Sequence, residues 1–94
     1  PEEVEECLKL HPSVADAAVV GVPDDKWGEA ITALVEPHAG DVVDSAALIA
    51  HVKGRLAAYK APKRVIAVTS IGRAANGKLD YKKLRSDAMA EPAV

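Results

Sequence analysis

Two apolar stretches decide the fold: Val14-Ala-Asp-Ala-Ala-Val-Val-Gly-Val22 and Ala30-Ile-Thr-Ala-Leu-Val-Glu36. Both are rich in β-branched residues and end at turn-forming residues, which is typical of strands. Because only residues 23–29 separate them, we predict that the two strands pair antiparallel. A third stretch of the same character, Arg64–Ser70, predicts a third strand.

Helical periodicity marks three other segments. Pro1–Leu10 carries its apolar residues on one helical face and acidic residues at its amino end, as the helix dipole favours. Asp44 is the expected N-cap of a second helix, which reaches about Ala57. Asp80 is the expected cap of a third helix over residues 81–88.

The order α-β-β-α-β-α predicts an α+β fold. We expect a small, three-stranded, mainly antiparallel sheet with helices packed on one face. The 94 residues, 49% hydrophobic and 28% charged, are typical of a small globular protein. We therefore predict a single domain over residues 1–94, with a frayed tail from about residue 89.

Several protein classes are excluded by composition. No apolar run approaches the roughly 18 residues of a membrane span, so we expect no membrane span. No basic-then-apolar segment opens these residues, so we expect no secretory leader. The single cysteine, Cys7, cannot form an internal disulfide, which favours a reducing, cytoplasmic location. Cys7 also lies on the apolar face of the first helix, which predicts a core residue rather than a nucleophile.

The charges are unevenly distributed along the chain. The formal net charge is −2, but residues 1–52 carry −9 and residues 53–85 carry +9. A local field of this size suggests an anionic partner for the basic third, such as a phosphate or a carboxylate. A solvated basic face without a ligand is the simpler explanation of the charge alone.

The loop from Gly72 to Lys78 spells G-x-x-x-x-G-K between a predicted strand and a predicted helix. It is nevertheless not a Walker loop, because Leu79 stands where a hydroxyl would hold Mg²⁺ and the chain has only about three short strands. What remains is a flexible loop. Gly77 would let the backbone approach a ligand closely, and Lys78 is suited to a phosphate or carboxylate oxygen. A solvated lysine with no ligand is the alternative.

Two further loops are candidate binding segments. Lys60 and Lys63 flank Pro62, which stiffens the connection between the second helix and the third strand and could hold these cations for phosphates. A charged connector that keeps an edge strand soluble is the alternative. Trp27 lies in the loop between the first two strands, where it either packs on the sheet or touches a ligand. The three histidines are too scattered to predict a metal site.

Together these motifs resemble one known family. They occur in the order Glu3-Val4-Glu5, His11-Pro12-Ser13-Val14, Asp16–Asp24, Trp27-Gly28-Glu29, Tyr59-Lys60-Ala61-Pro62-Lys63 and Gly77-Lys78. This order resembles the C-terminal domain of the adenylate-forming (acyl-CoA synthetase, AMP-binding enzyme) superfamily, and most of all bacterial fatty acyl-CoA synthetases. The resemblance covers the chain from Pro1 to about Arg85.

The resemblance implies a mobile domain that closes over a large N-terminal AMP-binding domain of the same polypeptide. In one orientation Lys78 would enter the active site and hold the substrate carboxylate against the α-phosphate of ATP. The domain would then rotate to admit coenzyme A. The family often has a cation at the position of Lys53, against the phosphates of coenzyme A. Lys60 and Lys63 are weaker candidates for the same anion, and Trp27 could only pack against coenzyme A.

The resemblance also implies what these residues do not contain. The ATP site, with Mg²⁺, and the carboxylic (fatty) acid pocket would lie upstream, so we expect these 94 residues alone to bind no cofactor and to be inactive. One alternative is the C-terminal subdomain of a nonribosomal-peptide-type adenylation domain, which Gly77-Lys78-Leu79-Asp80 also suits. A non-enzymatic protein-interaction domain is another. A nucleic-acid-binding module is disfavoured, because no aromatic residue lies on a predicted strand.

Overall fold

The computed structural model describes residues 2–26 and 28–90, which form three helices, three strands and a short 3₁₀ helix. The helices are α1 (Glu2–Lys9), α2 (Ser45–Lys53) and α3 (Tyr81–Ala90). The strands are β1 (Val14–Asp24), β2 (Gly28–Pro37) and β3 (Arg64–Ala67), and the 3₁₀ helix is Ala58–Lys60. The predicted α+β class and the order α-β-β-α-β-α are confirmed.

The sheet has the strand order β1-β2-β3 and is mixed. β1 and β2 pair antiparallel from Val14 opposite Pro37 to Asp24 opposite Gly28, as predicted. β3 instead pairs parallel to β2, from Arg64 opposite Thr32 to Ala67 opposite Val35. The reason is that α2 carries the chain across the sheet between these two strands, and such a crossover returns the next strand in the same direction.

Helices cover both faces of the sheet, which corrects the expectation of a single covered face. Two separate hydrophobic cores show this. The first lies between the sheet and the helices α1 and α2, and includes Leu8, Val35 and Leu48. The second lies between the opposite face and α3, and includes Leu34 and Leu84. Alternate residues of β1 and β2 therefore enter different cores, so both strands are nearly continuously apolar.

Several predicted boundaries were wrong by a few residues. β1 ends at Asp24 rather than at Val22, and β2 begins at Gly28 rather than at Ala30. α2 ends at Lys53 rather than near Ala57, because Gly54 follows and is a poor helix former. β3 ends at Ala67 rather than at Ser70. α3 extends to Ala90 rather than to about Ala88, and residues 91–94, on which most of the predicted frayed tail falls, lie outside the described part of the chain.

Side chains from the helices close the outer edge of β1. The buried carboxylate of Glu5 accepts a hydrogen bond from the backbone N–H of Val19 at 2.8 Å. Arg85, from α3, donates to the carbonyl oxygen of Gly21 at 2.9 Å. An edge strand with bound polar groups is a poor template for pairing with another chain.

A β-bulge interrupts β1 between Val14 and Asp16. Because a bulge adds one residue to one strand, it changes which face the preceding side chain occupies. Val14 accordingly lies in the first core, whereas Asp16 is free to reach the loop that leads to α3. This local irregularity positions the candidate site.

Candidate functional site

The loop that carries Lys78 is an ordered turn. The backbone N–H of Gly77 donates to the carbonyl oxygen of Ala74 at 2.8 Å, and the N–H of Ala74 donates to the carbonyl oxygen of Lys78 at 3.0 Å. Gly77 has a φ of 82°. This is the pattern of a three-residue hairpin loop with glycine in the left-handed region. No atom lies within 4 Å of where a Cβ would be, so Gly77 is required for its conformation rather than for space.

Arg73 ties this turn to β1. Its Nε and Nη2 donate to the two carboxylate oxygens of Asp16 at 2.7 and 2.9 Å. Its Nη1 donates to the carbonyl oxygen of Gly77 at 2.8 Å. The hydrogen bond from Arg73 lowers the pKa of Asp16 below its usual range. A bidentate pair of this kind fixes orientation as well as distance.

Both ends of the loop are also fixed. Before the turn, the N–H of Ile71 donates to Glu36 at 2.9 Å, and the Ile71 side chain is buried in the second core. After the turn, Leu79 packs against the same core. Asp80 then caps α3, as predicted, by accepting from the N–H of Lys83 at 3.1 Å.

Tyr81 links the start of α3 to α1. Its hydroxyl donates to the carboxylate of Glu5 at 3.0 Å. Burial, followed by this hydrogen bond, raises the pKa of Tyr81 to about 12. The same carboxylate therefore binds β1, through Val19, and α3.

The ammonium of Lys78 contrasts with this fixed frame. Lys78 is exposed, and its ammonium has no hydrogen bond or ion pair with residues 2–26 or 28–90. Both backbone polar groups of Lys78, by comparison, are hydrogen-bonded. Its N–H donates to the side-chain oxygen of Asn76 at 3.0 Å, and its carbonyl oxygen accepts from the N–H of Ala74. Chemically, the arrangement presents a single positive charge to whatever lies beyond the surface.

The two lysines of the connector over residues 58–63 make different contacts. Lys60 donates to the carboxylate of Glu3 at 2.5 Å, and this hydrogen bond raises the pKa of Lys60. The N–H of Lys63 donates to the carbonyl oxygen of Ile31 at 2.8 Å, and its side chain is exposed. Pro62 is fully buried, so it anchors the connector in the fold.

The structure does not bring the predicted site residues together. Asp16, which anchors the Lys78 loop, precedes Gly21 by about 16 Å along β1. Gly21 and Lys60 line the same shallow groove, so the connector is near the other end of the strand. Lys53 is the exposed last residue of α2. Trp27 lies outside the described residues.

Sequence reasoning missed the residues that hold the loop: Asp16, Arg73, Glu5 and Tyr81. Arg73 is separated from Asp16 by 57 positions, and Tyr81 from Glu5 by 76. No local pattern links such distant residues. The only available signal was the concentration of opposite charges in the two halves of the chain.

The remaining side-chain predictions concern Cys7 and the histidines. Cys7 is buried in the first core, and burial raises the pKa of its thiol, so the prediction of a core residue is confirmed. His51 bonds to the carbonyl oxygen of Cys7 at 2.7 Å and contacts the ring of His11 edge-on. In the described part of the chain, no group of three metal-ligating side chains is arranged to hold a metal ion.

Asp16 and Arg73, which fix the Lys78 turn, lie within a segment that matches a known family model. Residues 3–78 match the AMP-binding enzyme C-terminal domain. The chain belongs to this family. The resemblance stated from the sequence motifs is therefore confirmed.

Two comparisons show which members this domain is similar to. It is 44% identical, over 99% of its length, to the medium/long-chain-fatty-acid–CoA/3-oxocholest-4-en-26-oate–CoA ligase of Mycolicibacterium smegmatis. It superimposes with a TM-score of 0.85 on the fatty acyl CoA synthetase of Mycobacterium tuberculosis, at 37% identity and with 96% of the domain covered. The similarity to bacterial fatty acyl-CoA synthetases is confirmed.

A third comparison concerns a relative solved with ATP. The domain superimposes with a TM-score of 0.83 on ATP-bound MatB from Rhodopseudomonas palustris, at 36% identity over 93% of the domain. The domain spans 17% of this structure, 18% of the tuberculosis structure and 17% of the smegmatis ligase. No helix among the described residues is both long and apolar enough to cross a membrane.

Proposed function

We propose that this domain is the mobile lid of an AMP-forming fatty acyl-CoA ligase and that Lys78 is its catalytic residue. The observation that supports this most is the contrast at the Lys78 loop, where the backbone of Gly77 and Lys78 is held by hydrogen bonds and the Lys78 ammonium is left exposed. A lysine that only stabilised the fold would be expected to pair within it, as Lys60 does with Glu3.

The proposed role of Lys78 is electrostatic. With the domain closed over the ATP site, its ammonium would bind the substrate carboxylate and an α-phosphate oxygen together. This holds the nucleophilic oxygen close to phosphorus and offsets the negative charge that develops as pyrophosphate leaves. Gly77 contributes by allowing the turn that presents the lysine.

The second proposed step needs a different orientation. Rotation of the domain would withdraw Lys78 and admit the thiol of coenzyme A to the acyl-adenylate. Lys53 is our leading candidate for the coenzyme A phosphates, because it is exposed at the end of α2. Lys63 and Lys60 are secondary candidates, and Lys60 must first leave Glu3. Any contact by Trp27 would be packing.

The proposed partner is an N-terminal AMP-binding domain of the same polypeptide. It would hold ATP with Mg²⁺ and the fatty acid, so the 94 residues alone would neither adenylate nor form thioesters. The named ligases among the relatives use coenzyme A as acceptor, which supports a ligase over the peptide-synthetase alternative. A cytoplasmic location stays a prediction.

The test is a Lys78→Ala variant of the complete ligase, meaning this domain joined to its AMP-binding domain. We expect adenylation, measured as ATP–pyrophosphate exchange, to fall about 10²–10³-fold, as when one transition-state donor is removed. Thioester formation from supplied acyl-adenylate should keep most of its rate. Lys82→Ala, on the exposed face of α3, is the matched control and should leave both half-reactions unchanged.

Three outcomes would contradict the proposal. Equal losses in both half-reactions would exclude two orientations with distinct residues. Unchanged adenylation would remove Lys78 from the mechanism and favour a non-enzymatic interaction domain. Pyrophosphate exchange by the 94 residues alone would show that no partner domain is needed.

A further inference from the structure

The peptide unit between Gly77 and Lys78 is bound on both sides. Its carbonyl oxygen accepts from Arg73 Nη1 at 2.8 Å, and its N–H donates to Asn76 Oδ1 at 3.0 Å. Fixing this peptide plane restricts the backbone torsions on either side of it. The direction in which the Lys78 side chain leaves the loop is therefore determined largely by these two hydrogen bonds.

Of the two side chains that bind this peptide unit, only Arg73 connects it to another part of the fold. Asn76 belongs to the turn itself, whereas Arg73 is held by Asp16 of β1 through two hydrogen bonds. The pair is partly shielded from water, with the side chains of Arg73 and Asp16 exposed by 33% and 18%. The Arg73 guanidinium therefore links β1 directly to the backbone beside Lys78.

A fork of donors is essential to this arrangement. Two Arg73 nitrogens are used by Asp16 and the third by Gly77. A lysine ammonium has no planar fork and would engage a carboxylate as a point charge. Arg73→Lys would therefore keep the charge while weakening one of the two connections.

We propose that Arg73, anchored by Asp16, is a positioning residue that sets the approach of Lys78 to the reacting groups during adenylation. The inference rests on the proposed function of Lys78 and goes beyond it, because it assigns a role to two residues that touch no substrate. A misplacement of about 1 Å can lower a rate about 10²-fold, so an anchor of this kind has a measurable effect.

The first experiment compares variants of the complete ligase in both half-reactions. Arg73→Ala should lower the kcat of adenylation about 10- to 100-fold and leave the KM for ATP within about twofold, since Arg73 contacts no substrate. Asp16→Asn and Arg73→Lys should give smaller losses of the same kind. Thioester formation from supplied acyl-adenylate should be unchanged in all three.

A matched control separates positioning from general stabilisation. Lys83 and Asp87 form an exposed ion pair within α3 at 2.8 Å. Lys83→Ala should leave both half-reactions at the wild-type rate. If Arg73→Ala instead lowers the two half-reactions equally, in step with its thermal unfolding midpoint, the residue is structural and the inference is overturned.

The deciding experiment is a double-mutant cycle between Arg73 and Lys78. If Arg73 acts through Lys78, then Arg73→Ala should cause no further loss of adenylation in a Lys78→Ala background. Additive losses would overturn the inference while leaving the role of Lys78 intact. If Lys78→Ala alone has no effect, the proposed function fails, and the inference fails with it.

Discussion

The Lys78 loop (residues 72–78) and the connector (residues 58–63) are both basic, and both join a helix to a strand of the same sheet. They differ in which part of the segment is held by hydrogen bonds, the backbone or the lysine side chain. In the loop the backbone is bound at the turn and at Arg73, while the lysine ammonium is exposed without a partner among the described residues. In the connector the lysine ammonium of Lys60 is itself part of the structure, through Glu3.

This difference separates two uses of positive charge. A cation that is paired within the fold must leave its partner before it can bind a ligand. An exposed ion pair of this type contributes little to stability. An unpaired cation on an ordered turn can bind a ligand directly. The turn also restricts the backbone beforehand, so less conformational entropy is lost on binding. We therefore regard the exposed lysine on an ordered loop as the stronger sign of function.

Among changes that leave every cation of the two segments in place, the largest effect is expected from the turn glycine. Gly77→Ala should destabilise the domain by about 1 kcal/mol, because an L-residue is strained at a φ of 82°. It should also slow adenylation by the complete ligase about tenfold, because the turn shifts.

Gly40→Ala is the matched control. Gly40 has a φ of 86° and, like Gly77, an open space where a Cβ would lie. It should show a similar loss of stability in chemical denaturation and normal adenylation. Equal rates for the two variants would mean that the loop geometry does not matter for catalysis.

An intermediate effect, on the pH dependence of stability, is expected for Tyr81, which lies three residues after Lys78. The pKa of Tyr81 is raised from 10.0 to about 12, so its stabilising contribution is present below pH 10 and lost as the pH rises through about 12. Tyr81→Phe should remove this contribution. The difference in unfolding free energy between the wild type and this variant should therefore shrink over that range.

The matching change in the connector is Tyr59→Phe, since Tyr59 is 75% exposed. As a substitution at an exposed position, it should leave the free energy of unfolding within about 0.5 kcal/mol of the wild type in the same denaturation series. A difference for Tyr81→Phe that does not change between pH 10 and 12 would show that its bond to Glu5 does not couple titration to folding.

The smallest effect concerns the cations proposed to meet coenzyme A. Lys53→Ala should raise the KM of the complete ligase for coenzyme A about two- to fivefold, as expected for one exposed ion pair. Lys60→Ala should raise it less, because its ammonium already pairs with Glu3. Steady-state kinetics at varied coenzyme A measures both, and a larger effect at Lys60 would contradict the distinction drawn between a cation that is paired within the fold and one that is exposed.

Much of the fold was predictable because its signals are local. The antiparallel pairing of β1 and β2 followed from two apolar stretches and a short connection, and Asp44 and Asp80 cap their helices as predicted. The direction of β3 was not local, because it depended on which way α2 crosses the sheet. The covering of both faces, by contrast, had a local signal that the prediction did not use, because strands apolar on both sides are typical of a sheet buried on both faces.

The sequence alone determined the element order, the burial of Cys7 and the family to which the domain belongs, since these depend on periodicity, turn chemistry and the order of short motifs. It also drew attention to Gly77 and Lys78. Only the tertiary structure decided that Lys60 is paired, that Arg73 holds the Gly77 carbonyl and that Asp16 holds Arg73. The Lys60–Glu3 and Arg73–Asp16 contacts each join residues 57 positions apart, and the second depends on a bulge in β1. No interaction between neighbours in the sequence encodes such a juxtaposition.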